Sequence, residues 1–187
     1  VSIVVGIDPS LTAAGIAQIH DPATAPSPNV PKLVTVGESR PEDVTLVGRA
    51  LRVRRQRDRI LRKLPAGTRA VGIELLPQVN PTPKQASLFV ERGALILELA
   101  HYLAGKGIPV VGISVQAIKI FATGDGSAKK PQVLAAMREL WPGAPINGDD
   151  NRSDGLAIAT ILSQHLGWYE PELPCHYAPR VDWSQLR

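Results

Sequence analysis

The chain has a single cysteine, Cys175, so no internal disulfide can form and packing alone must hold the fold. A reducing compartment suits such a chain, and the cytoplasm is the expected location. No uninterrupted apolar run is long enough to span a bilayer, and the first residues lack the basic and apolar regions of a secretory signal. Neither membrane insertion nor export is expected. His20, His101, His165 and His176 show no metal-ligand spacing, which leaves them structural or exposed.

What is present describes a folded chain. With 187 residues, 44% of them hydrophobic, there is enough apolar material for one well-filled core, and one domain is the default. Prolines and glycines gather between periodic segments and act as punctuation. Lysine and arginine total 21 against 17 aspartates and glutamates, a net charge of +4 that mildly favours a polyanionic partner.

The stretch VVGIDPSLTAAG, Val4 to Gly15, reads as a buried strand ending in a carboxylate, Asp8, followed by a turn of small residues. A carboxylate at the end of an apolar run is costly to bury without a cation or hydrogen bonds. It is either a metal ligand at the mouth of a sheet or a turn-forming Asp-Pro-Ser that caps its own backbone. The strand Ser2–Asp8 and the extended run Gly15–His20 form an antiparallel hairpin. After an exposed loop, Asp21 to Pro31, a third strand covers Lys32 to Ser39.

A long helix is predicted from Pro41 to Leu64, with Leu46, Ala50, Val53, Ile60 and Leu64 on one stripe and Glu42 and Asp43 in its first turn. Between Arg49 and Lys63 it carries eight basic residues and one acid, Asp58. Such a run is a solvated helix face or a phosphate-facing surface. Arg69 to Leu75 repeats the pattern of the first strand and ends in Glu74. If the two strands are parallel neighbours, Asp8 and Glu74 meet at the C-terminal edge of the sheet, where open α/β sheets place their sites.

Ala86 to Ala104 is a helix apolar on more than one face, central in the domain or half of a dimer interface. A strand, Ile108 to Ile113, and a short helix, Val115 to Phe121, lead to the loop TGDGSAKK, Thr123 to Lys130. That loop is a phosphate receptor or a flexible linker with two solvated lysines. Pro131 opens the next helix, which runs to about Trp141. The last helix, Ser153 to Leu166, is read as amphipathic, with Leu156, Ala157, Ile161 and Leu162 inward. Asp150 and Asp154 are four apart, which stacks them on one face if the helix is continuous; otherwise they favour its positive N-terminus. The fold class is therefore α/β: a central mixed five-stranded sheet, three antiparallel strands then two parallel, flanked by helices. The domain covers residues 1–167, and 168–187 form a C-terminal tail.

That order of elements is the ribonuclease H-like arrangement, and four motifs sharpen the likeness. GIDPSLTAAG, AVGIE, KIFATGDGSAKKPQV and SDGLAIA, in order and at matching separations, resemble the RuvC family of Holliday-junction resolvases from Ile3 to about His165. The resemblance implies that Asp8, Glu74 and Asp154 are catalytic acids. The family's remaining acid would fall three residues before Asp154, where this chain has Asn151. Asp150 is expected to take that role, with Asp149 as the substitute. The departure at Asn151 fits a phage-type member. Lys119 and Lys130 match lysines that contact DNA or assist cleavage, and Lys84, Lys129, Arg54 and Arg55 are further basic residues expected to meet DNA. Pro77 stands where some members have a base-stacking aromatic, so that stacking does not carry over. The helix from Ala86 resembles the family's dimer helix.

The resemblance also implies a homodimer that nicks a four-way DNA junction at two symmetric sites. Each would hold two Mg²⁺ ions, with Mn²⁺ able to substitute, on Asp8, Glu74, Asp154 and Asp150. No motor partner is named by the sequence. Three other readings compete: a nuclease for flaps, forks or other branched DNA; a non-catalytic junction binder; and an actin-like nucleotide-binding fold, for which the chain leaves little room.

Overall fold

In a computed structural model, residues 1–25, 30–39, 45–77, 80–83, 85–169 and 176–186 are described. Five strands form one sheet: β1 (Ile3–Asp8), β2 (Ala14–His20), β3 (Lys32–Val36), β4 (Thr68–Glu74) and β5 (Val110–Ile113). Their spatial order is β3-β2-β1-β4-β5. β1 pairs antiparallel with β2, and β2 with β3, whereas β4 runs parallel to both β1 and β5. The expected mixed sheet is thus present, with β3 ending before Gly37 rather than at Ser39.

Alternation along the strands sorts their side chains into two cores. Ile3, Val5 and Ile7 of β1 join Val71 and Ile73 of β4 in one cluster, covered by α1 (Leu46–Leu61) and α2 (Ala86–Gly105). Val4 and Ala70 face the other way, into a cluster closed by α3 (Val115–Thr123), α4 (Lys130–Leu140) and α5 (Asp150–His165). The result is a three-layer sandwich. Asp8 and Glu74 share the parity of Val4 and Ala70, so the pleat places their side chains on the α5 side.

α5 differs from its predicted form. It starts at Asp150, capped by Asp149, and from Gly155 to Ser163 every residue is buried, so it is a core helix rather than an amphipathic one. Glycines allow this. A Cβ on Gly6 would lie 2.1 Å from the Gly155 carbonyl oxygen, and one on Gly15 would lie 1.8 Å from that of Asn151. The helix backbone therefore rests directly on β1 and β2.

α1 also departs from expectation. Its cap is Thr45, whose Oγ1 accepts from the Gly48 N–H at 3.1 Å, while the expected first-turn acids Glu42 and Asp43 lie outside the described residues. Leu46 is 84% exposed, and the buried line runs through Arg52, Val53, Gln56 and Ile60. Two of those four are polar, which is why apolar periodicity misplaced the stripe. Gln56 earns its buried position by donating to the carbonyls of Ser10 and Val36, at 2.8 and 2.9 Å, which ties α1 to the turn after β1.

α2 buries Leu95, Ile96, Leu99 and Leu103 and leaves Leu88, Val90 and Leu97 exposed. Its apolar outer side is therefore not covered within the described chain. Among the residues after α5, Trp168, Tyr169, Val181, Trp183 and Leu186 pack against the α5 core, and the Trp183 ring stacks on His165 at 3.8 Å. No helix of the described residues is long and apolar enough to cross a membrane.

Candidate active site

β1 and β4 are in register through Ile7 and Ile73, so the next residues, Asp8 and Glu74, stand side by side where the two strands end. Asp154 descends on them from the second turn of α5. Each of the three offers a carboxylate oxygen within 4.8 Å of the others. Asp8 and Glu74 are 4% and 6% exposed, and Asp154 is partly buried. They line a pocket of about 320 Å³ together with Ser10, Pro77, Arg92, Lys119, Lys130 and Asn151.

Three carboxylates this close oppose one another's ionisation. Burial, then the charge of Asp8, pushes Glu74 up to about 8, and burial followed by Asp8 raises Asp154 to about 7. Burial also raises Asp8, against the lowering pull of Arg92 and Lys130. Ionising all three acids together is therefore costly unless protons or a bound cation relieve their mutual repulsion. An all-oxygen donor set of this kind fits hard divalent cations, which would take the place of the protons.

Asp8 does not cap its own turn. Its Oδ1 accepts from Arg92 Nη2 at 2.8 Å, and the turn amide of Ala13 is taken by Ser10 Oγ at 3.3 Å. The same Arg92 nitrogen donates to Glu74 Oε1 at 2.8 Å. Sequence reasoning missed Arg92. It lies in a helix that reads as apolar nearly all round, and only its placement eighteen residues after Glu74, one helix back along the sheet, brings it to the strand ends.

The acids before Asp154 separate cleanly. Asp149 Oδ1 accepts from the N–H groups of Asn151 and Arg152, at 3.0 and 3.3 Å, and its Oδ2 accepts from Thr35 Oγ1 at 2.6 Å, so both oxygens serve the fold. Asp150 begins the helix on the rim, 3.9 Å from Lys130 Nζ, and lies outside the group of three that share oxygens within 4.8 Å. Asn151, three before Asp154, is the one that lines the pocket.

Of the basic residues, Lys119 and Lys130 line the pocket, and Lys129 is exposed at the start of α4. The loop before them is organised by Asp125, whose carboxylate accepts from the Ser127 N–H and hydroxyl, both at 2.7 Å. Lys84 lies outside the described residues. The basic run of α1 is largely neutralised within the chain. Arg55 and Arg59 bind Glu38, Arg49 and Arg52 face Glu91, and Arg57 bridges Asp58 and Glu98. Arg54 is exposed beside the groove between α1 and α2.

No family model matches the chain. It is 30% identical over 165 residues to a crossover junction endodeoxyribonuclease RuvC from Prochlorococcus marinus, covering 84% of this chain and 95% of that protein. It is 40% identical over 80 residues to the RuvC of Synechococcus sp. (strain CC9311), covering 42% of this chain and 44% of the relative. A RuvC from Gluconobacter oxydans is 36% identical over 74 residues, covering 40% and 41%. The chain thus spans less than half the length of these last two and nearly all of the first. Among solved structures, Thermus thermophilus RuvC superposes with a TM-score of 0.60 at 22% identity, covering 90% of this chain and 99% of that one. T. thermophilus RuvC in complex with Holliday junction substrate gives 0.62 at 22% identity, covering 91% and 99%. These likenesses establish the ribonuclease H-like fold, and the near-complete alignment to the Prochlorococcus protein adds descent to shape: the chain belongs to the RuvC family.

Proposed function

We propose that this chain resolves four-way DNA junctions, hydrolysing one phosphodiester in each of two symmetric sites of a homodimer. The observation that carries the reading is the convergence of Asp8, Glu74 and Asp154 where β1 and β4 end. In this reading those three carboxylates hold the divalent cations, Mg²⁺ or in its place Mn²⁺, with Asp150 at the rim as the fourth acid. Two Mg²⁺ ions in such a site supply an activated water and stabilise the departing 3′ oxygen.

The chain's own residues do the rest. The sheet edge and α5 hold the acids at fixed separation, so little reorganisation is needed when charge develops. Lys119 and Lys130, on the pocket wall, meet the DNA backbone beside the scissile phosphate, and Lys129 extends that basic edge. Lys84, Arg54 and Arg55 were further candidates. Arg55 is drawn to Glu38 instead, which leaves Arg54 as the better phosphate contact on α1.

A second copy is the natural cover for the apolar outer side of α2, where Val90 and Leu97 are both 71% exposed, and of the adjoining groove lined by Leu46 and Ala50. Pairing of α2 helices about a two-fold axis would give the two sites that paired cutting requires. The work belongs in the cytoplasm, where the DNA is and Cys175 stays reduced.

The experiment compares cleavage of a mobile four-way junction, a Y-structure and linear duplex by the wild type and by Asp8→Asn, in Mg²⁺. The reading expects paired nicks in the junction and none with the variant, which still binds. Preferential cutting of the Y-structure would move the assignment to other branched DNA. Binding without cleavage by the wild type, in Mg²⁺ or Mn²⁺, would make the chain a junction-binding protein.

A further inference from the structure

Among the described residues, one cation makes hydrogen bonds inside the carboxylate cluster, and it does so through one atom. Arg92 Nη2 donates to Asp8 Oδ1 and to Glu74 Oε1, each at 2.8 Å. The Nε of the same guanidinium is buried and has no partner. Compare Arg57, whose Nε and Nη2 both donate to Asp58 while Nη1 donates to Glu98. Arg52, buried against Glu91, also leaves Nε and Nη2 without partners, so what sets Arg92 apart is that one of its nitrogens bridges two acids of the cluster. Arg92 spends both hydrogens of one nitrogen on the two acids, and its side chain keeps 26% exposure, an open side into which it can withdraw.

Electrostatics gives this contact a direction. A guanidinium supplies one positive charge to three carboxylates, and a divalent cation supplies two at shorter range, about 2.1 Å for Mg²⁺ against the 2.8 Å of the arginine bonds. Both draw on the lone pairs of Asp8 and Glu74, and two cations on the same oxygens repel each other. Resting on the metal-binding reading of these acids, we infer that Arg92 is a resident counter-cation: it holds Asp8 and Glu74 together in metal-free protein and gives up that hold as a divalent ion binds. Arg92 acts through the carboxylates and is a positioning residue. The opposite role, an arginine that orients the acids and so strengthens metal binding, makes the contrary prediction for the same variant.

The test titrates full-length, EDTA-stripped protein with MnCl₂, read by calorimetry and by the electron paramagnetic resonance signal of free Mn²⁺. Arg92→Gln should bind Mn²⁺ roughly tenfold more tightly than wild type, as expected for loss of one charge-assisted contact pair. It should also melt at a lower temperature than wild type in EDTA, with the gap narrowing at saturating Mn²⁺. Equal or weaker binding by Arg92→Gln overturns the inference. Should that variant fail to fold, wild-type protein with ¹⁵N-labelled arginine decides: the Nε resonance absent from Arg92→Lys moves on titration with Mg²⁺, and a resonance that stays put overturns the inference. Failure of the underlying reading looks different, because wild type would then bind no Mn²⁺ at all. Binding that Asp154→Asn abolishes, with Arg92→Gln no tighter than wild type, sinks the role of Arg92 alone.

Discussion

Thr35 Oγ1 donates to Asp149 Oδ2 at 2.6 Å, joining the middle of β3 to the residue that caps α5. The contact separates two neighbouring acids by purpose, since Asp149 holds the helix in place and Asp154, one turn further on, faces the pocket. Asp149→Ala should cost about 1–2 kcal/mol of stability, the usual range for a lost cap, and leave measurable cleavage. Asp154→Asn should remove cleavage while keeping or raising the melting temperature in EDTA, because it relieves repulsion. Melting curves and junction cleavage on the two variants check the division.

The raised carboxylates set a pH dependence. Between the ordinary carboxylate range and about 8, the folded metal-free protein keeps protons on Glu74 and Asp154 that the unfolded chain has released. Folding then binds protons, so stability falls as pH rises through that window. The melting temperature in EDTA should therefore decline from pH 5 to pH 8.5, and saturating Mg²⁺ should flatten the decline by taking the place of the protons. A rise in EDTA would contradict the assigned shifts.

Glu38 behaves in the opposite sense. Its hydrogen bond from Arg55, with that from Arg59, lowers it to about 2. Its contribution is present above the ordinary carboxylate range and is lost as pH falls towards 2. Glu38→Gln should consequently lower the melting temperature at pH 7 and make little difference near pH 2.

Salt dependence distinguishes phosphate contacts from internal pairs. Replacing Lys119 or Lys130 with alanine should weaken junction binding and reduce the slope of log affinity against log salt by about one each. Arg55→Ala should leave that slope unchanged, because Glu38 already occupies its guanidinium. Filter binding at several salt concentrations measures both.

Gly15→Ala would place a methyl carbon 1.8 Å from the Asn151 carbonyl oxygen, backbone that cannot simply rotate away. Destabilisation of about 1–3 kcal/mol or more is expected, with cleavage reduced further than junction binding as α5 is pushed off the sheet. Chemical denaturation and cleavage rates measure the two effects.

The sheet was legible because its strands are short apolar runs, two of which, β1 and β4, end in acids, and alternation alone puts Asp8 and Glu74 on one face. Their meeting with Asp154 needed the resemblance, since nothing local in α5 says which strand it crosses. α1 misled because its buried line includes Arg52 and Gln56, polar residues whose partners lie 39 and at least 20 positions away. Arg92 was hidden for a related reason: its meaning lies in what the topology brings to its tip. Asp149 and Asp150 look alike in sequence; the cap that Asp149 places on α5 and the contacts with Thr35 and Lys130, from distant parts of the chain, tell them apart.

The bare backbone contact of α5 on Gly6 and Gly15 bears on how such a site can diversify. An acid on the rim can be exchanged for an amide by a single codon without disturbing anything beneath it. The floor has no such freedom, because any side chain added at Gly6 or Gly15 lifts the helix and carries Asp154 away from its two partners. Variation in sequence should accordingly collect at the pocket's edge, and the spacing of its three central oxygens should outlast changes in what surrounds them.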